Sequence, residues 1–144
     1  MSQQTSQRRQ HGYTLLELLV VLAILGLLVG LVAPQVITLL GSSKQKVTEQ
    51  SIARLGAILD MYRLDVGAFP TTEQGLGVLI AQPSGVPRWS GPYIKGDQAP
   101  LDPWGRPFQY RAPSQRPGVP YDLFSFGADG APGGSGEAAD VLNH

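Results

Sequence analysis

Hydrophobic and polar positions divide the chain into three stretches. Residues 1–12 are polar, with Arg8 and Arg9 near their end. From Leu18 to Ser43 no residue is charged, and an apolar run of roughly 20 residues is enough to span a bilayer as a helix. From Lys44 the pattern turns periodic. Ile52, Leu55, Leu59, Tyr62 and Val66 recur every three or four residues, with Arg54, Asp60 and Arg63 off that line. This predicts an amphipathic helix with one apolar stripe. Gly67 is a natural stop and Pro70 prevents continuation. A single helix over 13–66 is roughly 80 Å long at 1.5 Å per residue, more than any bilayer. Its first half, 13–40, therefore suits lipid, and its second, 44–66, packs on the body that follows. Pro34 removes one helical hydrogen bond and is expected to kink the helix or to end the spanning segment.

Gly and Pro are sparse up to Val66 and dense from Gly67 onward, so 67–144 reads as a small, loop-rich body. Phe69-Pro70-Thr71-Thr72-Glu73-Gln74-Gly75 predicts a turn into a short helix, and Thr71 with Gln74 has capping-box spacing. Trp89 and Tyr93 are candidate packing anchors in a loop. Asp102-Pro103-Trp104-Gly105 is a turn sequence. Alternation at Phe108 and Tyr110 predicts a strand over about Arg106 to Arg111, and a second strand is expected from Tyr121 to Phe126. Two or three short antiparallel strands against one long helix make an α+β arrangement.

Composition removes several function classes. Lys and Arg number 11 and Asp and Glu 11, for zero formal net charge, so there is no electrostatic footprint for nucleic acid. There is no cysteine, hence no disulfide and no thiolate metal site. The two histidines, His11 and His144, stand near opposite ends, which leaves no histidine cluster inside the fold.

The apolar segment admits three readings. A cleaved secretory signal is poorly matched, because the run is long and no small-x-small site follows it. An ordinary single-span anchor, with the arginines cytoplasmic, satisfies hydropathy. The third begins at Glu17, a carboxylate at the edge of a spanning segment, which costs roughly a few kcal/mol unless it is paired or reaches water. A new N-terminal amine would serve as its partner. Gly12-Tyr13-Thr14-Leu15-Leu16-Glu17 before a long apolar helix resembles the processing site of type IV prepilins and pseudopilins. The resemblance implies that a membrane aspartyl peptidase removes a leader, 1–12, by cutting between Gly12 and Tyr13, and N-methylates Tyr13. Glu17 would then pair with the N-terminal amine of a neighbouring subunit. The family usually has Phe where this chain has Tyr13.

Further blocks resemble the major pseudopilin of type II secretion systems (general secretion pathway protein G) in the type IV pilin-like superfamily. They are Phe69 to Leu76, Trp89-Ser90-Gly91-Pro92-Tyr93, Asp102-Pro103-Trp104-Gly105, Tyr121 to Ser125 and Gly127-Ala128-Asp129-Gly130. The resemblance implies a type IV pilin fold and a structural subunit, not an enzyme. It implies an inner-membrane, single-pass protein with a periplasmic body, 67–144, that polymerises into a pseudopilus and drives folded proteins across the outer membrane. The implied partners are copies of itself, the prepilin peptidase, minor pseudopilins and inner-membrane platform proteins, with a cytoplasmic ATPase powering polymerisation.

The stretch from Gly127 to Asp140 combines glycines with Asp129, Glu137 and Asp140. Calcium takes 6–8 oxygen ligands of such a mixture, although the spacing is not that of an EF-hand and a flexible acidic loop has the same composition. The resemblance implies a structural Ca2+ here. It gives Asp129 as a side-chain ligand, Phe126 through its backbone carbonyl, and a late carboxylate, Asp140 or else Glu137. Competing functions are a minor pseudopilin or competence pilus subunit, a membrane-anchored periplasmic binding module that never polymerises, and a hydrolase using Asp102, Asp122 or Asp129.

Overall fold

The computed structural model of the chain describes residues 12–144. The remainder of the expected leader, with Arg8, Arg9 and His11, lies outside the described residues. Helix α1 runs from Leu15 to Val66, with Pro34 inside it. The chain divides into two compact units, the first ending at Thr38 and the second covering Leu39–His144; α1 contributes to both.

In the first unit, Thr14 caps α1: the amide of Glu17 donates to its hydroxyl oxygen at 3.2 Å. Thr14 and Glu17 therefore stand as N-cap and third helical residue, the spacing of a capping box. Every described side chain from Tyr13 to Ile37 is exposed. A helix apolar on all sides has no stripe to bury against its own chain. Among the described residues α1 alone is long and apolar enough to cross a membrane.

In the second unit the predicted stripe is the core. Ile52, Leu55, Leu59 and Tyr62 are buried, with Leu76, Leu79, Phe108, Tyr121 and Leu123 packed around them, and Val66 is half-buried against the cluster. Helix α1 ends where expected. Gly67 takes φ +100°, and its amide donates to Arg63 O at 2.7 Å, the left-handed stop that glycine permits. The Thr71–Gln74 pair is reciprocal: Thr71 N donates to Gln74 Oε1 at 2.9 Å and Gln74 N to Thr71 Oγ1 at 3.3 Å. It organises the turn ahead of a 3-10 helix, Gly75–Leu79, so the short helix starts later than the sequence suggests. Trp89 and Tyr93 are anchors. Trp89 Nε1 donates to Val78 O at 2.6 Å and Tyr93 Oη to Asp65 Oδ2 at 2.8 Å.

Three strands form one antiparallel sheet in the order β1 (Gln109–Arg111), β2 (Asp122–Ser125), β3 (Val141–Leu142). Gln109 pairs with Phe124, and Phe124 with Leu142. Strands β1 and β2 are shorter than predicted. Pro107 has no N–H to give a ladder, and Gly127, at φ +68°, turns the chain out of β2. The architecture is the expected α+β one.

Candidate functional site

Two regions carry the candidate chemistry, and each lies within its own unit. The first is the segment from Gly12 to Glu17. A Cβ on Gly12 would meet no atom within 4 Å among the described residues, so none of these requires glycine there. Gly26 and Gly30 are equally open; their lack of a side chain matters only if another helix approaches. Glu17 is exposed in the first turn of α1, where a carboxylate complements the positive end of the helix dipole.

The second region is the loop from Gly127 to Asp140. It is closed at its base by Ala128 N donating to Glu137 O at 2.8 Å and near its tip by Asp140 N donating to Gly133 O at 3.2 Å. Both candidate aspartates brace it. Asp129 Oδ1 accepts from Ala131 N at 3.1 Å, and Asp140 Oδ2 accepts from Gly133 N at 2.9 Å. The second oxygen of Asp140, Oδ1, is buried and has no hydrogen-bond partner. Leaving such an atom unpaired costs about 1–3 kcal/mol, so it is poised for a partner. Phe126 stacks edge-on against Phe124, with ring centroids 5.1 Å apart. Glu137 stands apart from the aspartates in its role. It sits in a short 3-10 turn, Gly136–Ala138, with its side chain against α1 where Gly41 has none. Beside it Gln45 Nε2 donates to Gly136 O. Among the described residues no three His, Cys, Asp or Glu side chains are grouped to hold a metal. A metal in this loop would therefore rely on two carboxylates and backbone carbonyls.

Sequence reasoning missed the residues that hold this loop from outside. Asp102, buried in the turn before β1, accepts from Trp104 N at 3.0 Å, Arg106 N at 2.9 Å and Ser125 Oγ at 2.6 Å. Ser125 Oγ in turn accepts from Gly127 N at 3.2 Å. Arg106 Nη2 donates to Gly127 O at 2.5 Å and to Ala128 O at 2.7 Å. The other side is held by Asn143, directly after β3. Its Nδ2 donates to Tyr121 O at 3.0 Å, and its Oδ1 accepts from Leu123 N at 2.9 Å and Arg116 Nη2 at 2.5 Å. Asp122 likewise accepts from Ser114 Oγ, Gln115 N and Arg116 Nε, so two of the three carboxylates of the hydrolase reading, Asp102 and Asp122, are engaged as structural acceptors.

Comparison with known proteins gives two family matches. The family described as "Type II secretion system (T2SS), protein G" matches residues 35–144, and "Prokaryotic N-terminal methylation motif" matches residues 7–33. The chain is 45% identical over 141 residues to the type II secretion system core protein G of Pseudomonas aeruginosa, covering 95% of this chain and 96% of that protein. It is 42% identical over 139 residues to the namesake in Vibrio cholerae, covering 94% and 92%. Among solved structures it resembles the major pseudopilin of the type 2 secretion system of enterohaemorrhagic Escherichia coli. The TM-score is 0.57 and the identity 36%, covering 71% of this chain and 87% of that one.

Proposed function

We infer the function from the family to which this chain belongs, that of type II secretion system protein G: it is a major pseudopilin, a structural subunit of the type II secretion pseudopilus. The family is a structural one, its members assemble with themselves and other secretion components, and the methylation motif with the apolar α1 fits a membrane-anchored subunit. The finer picture is our proposal. The chain crosses the inner membrane once with its body in the periplasm. The prepilin peptidase cuts between Gly12 and Tyr13, and the mature subunit polymerises on platform proteins with minor pseudopilins at hand. It catalyses no reaction itself.

The observation that carries polymerisation is the exposure of α1 on all faces from Tyr13 to Ile37. Out of lipid, that surface needs cover, and copies of the same helix provide it. Glu17 then supplies register. Its charge is costly in an apolar bundle unless it meets a cation, and a neighbour's N-terminal amine is one. Glu17→Leu keeps the helix apolar and removes the charge. The variant is expected to be processed and methylated, yet to be absent from sheared filaments that contain the wild type. Filaments with normal Glu17→Leu content would sink the pairing and favour a subunit that is positioned by apolar packing alone.

We also propose that the loop from Gly127 to Asp140 holds one calcium ion, with Asp129, Asp140 and the Phe126 carbonyl as its ligands. The unpartnered Oδ1 of Asp140 and the all-oxygen donor set fit a hard cation. Glu137, turned toward Gly41, is the weaker candidate. When bound, the ion would neutralise two carboxylates and tie the two ends of the loop together. Asp129→Ala, measured as full chain in detergent, is expected to lose most of the rise in Tm that calcium gives the wild type. At 100 times Kd that rise corresponds to about 2.7 kcal/mol. Equal Tm with calcium and with chelator in the wild type would refute the metal.

A further inference from the structure

We propose that Arg106 is the positioning residue of this loop: its guanidinium holds the Gly127 and Ala128 carbonyls and so keeps these two oxygens from competing with Phe126, Asp129 and Asp140 for a metal. The proposal rests on the calcium reading for its ligand assignment but stands on its own hydrogen bonds for the holding role.

The contact uses a flat cation that donates more than once from one nitrogen. One nitrogen, Nη2, reaches both carbonyls, at 2.5 and 2.7 Å. The Gly130 backbone comes so close to the same guanidinium that a Cβ there would lie 2.3 Å from Nη1. Gly130 also takes φ +67°, a conformation that favours glycine. The guanidinium thus sits in the concave side of the turn Gly127–Gly130. Arg106 is itself fixed, because its amide donates to buried Asp102 at 2.9 Å and its carbonyl accepts from Asp102 N at 2.7 Å. Gly127 is gripped twice. Its N–H is held by Ser125 Oγ, which Asp102 anchors, and the Gly127 carbonyl is held by Arg106.

Carbonyls engaged by a guanidinium are not free to turn toward a metal. Arg106 therefore removes two competing oxygens from the loop and fixes the backbone on either side of the ligands. A positive charge near a cation site also repels the cation, which opposes binding. The loop is open to solvent only at Asp129 and from Ala131 to Gly136, which screens part of that repulsion, and the guanidinium's charge is already directed at two carbonyls. Loss of backbone order at a glycine is the larger effect, because glycine has the most freedom to regain. The net expectation is that Arg106 favours calcium.

The test uses the full chain in detergent, with Arg106→Lys and Arg106→Gln. Amide hydrogen exchange in chelator should quicken at Ala128 and its neighbours in Arg106→Gln, while core amides such as Leu123 keep their protection. Calcium titration should rank affinity as Arg, then Lys, then Gln. The Gln variant should need about fivefold more calcium or beyond for half-saturation, the lower end of couplings between interacting sites. Lys keeps the charge but not the flat guanidinium that lies against Gly130, so it restores only part. Unchanged exchange at Ala128 in Arg106→Gln would overturn the holding role. Calcium binding by Arg106→Gln as tight as the wild type, or tighter, would overturn the positioning role and make Arg106 a competitor of the metal. A wild type that binds no calcium would overturn the metal reading and the ligand assignment. The exchange arm, run in chelator, would still decide the grip on the loop by itself.

Discussion

Replacing Gly12 by leucine is expected to leave the chain as a longer precursor that carries its leader and lacks the methyl group on Tyr13. The expected slowing of cleavage is at least about tenfold, equivalent to about 1.4 kcal/mol in the barrier. A peptidase that cuts at a membrane surface must bring its carboxylates against the scissile backbone. A residue with no Cβ permits that approach where leucine obstructs it. The folded chain isolates this cause. A Cβ at Gly12 meets nothing within 4 Å among the described residues, and Gly12 stands outside α1, which Thr14 caps independently. The variant should therefore melt at the wild-type temperature and still insert in the membrane. Intact-mass measurement of protein recovered from membranes of a host with active prepilin peptidase decides the matter. Cleavage of Gly12→Leu at the wild-type rate would remove the leader assignment. Tyr13→Phe provides the complementary arm: it restores the residue usual in this family and should be processed at least as fast as the wild type.

Local signals in the sequence were sufficient wherever neighbours along the chain decide the outcome. The spacing of Ile52, Leu55, Leu59 and Tyr62 identifies the buried face of α1 because a helix repeats its own geometry. Thr71 and Gln74 name their own partner because a capping box closes over three residues. Strand β3 was not legible, since two residues cannot display an alternation; it exists because Asn143 and β2 capture it. The same limit hid the clamp on the loop. Asp102-Pro103-Trp104-Gly105 reads correctly as a turn, yet nothing in it shows that Asp102 will accept from Ser125 or that Arg106 will reach Gly127 and Ala128, 21 and 22 positions on. The acidic residues of the loop were visible as a group. Their division of labour was not: only the helix, through the missing side chain of Gly41, sets Glu137 apart from Asp129 and Asp140.

Asp122 anchors the other long-range device, and its removal should weaken the body markedly. Its Oδ1 accepts from Ser114 Oγ at 2.6 Å and Arg116 Nε at 2.8 Å, and its Oδ2 from Gln115 N at 3.0 Å. Arg116 passes the connection on to Asn143, through Nη1 to its carbonyl at 2.7 Å and Nη2 to its side chain. Asp122 therefore ties the turn after β1 to β2 and, through Arg116, to β3, which follows directly on Asp140. Breaking a buried ion pair by removing one partner costs 3–5 kcal/mol. Here the Arg116 side chain is 35% exposed and can regain water, so Asp122→Ala should cost about 2–3 kcal/mol. For a body of this size that is a fall in Tm of about 10–20 °C. The charge state gives an independent check. Burial opposes ionisation of Asp122, but the Ser114 hydroxyl, Arg116 and the Gln115 amide outweigh it and bring the pKa down from 3.8 to about 2. A carboxylate depressed on folding stabilises the fold fully above its unfolded pKa and loses that contribution as pH falls through its folded value. The gap in Tm between wild type and Asp122→Ala should accordingly be full above pH about 5, shrink below pH about 4, and nearly close at pH about 2. A gap that stays constant from neutral to acid pH would show that Asp122 acts by packing alone. A Tm within 2 °C of wild type at neutral pH, a change below about 0.5 kcal/mol, would show that Arg116 and Asn143 hold β3 without it.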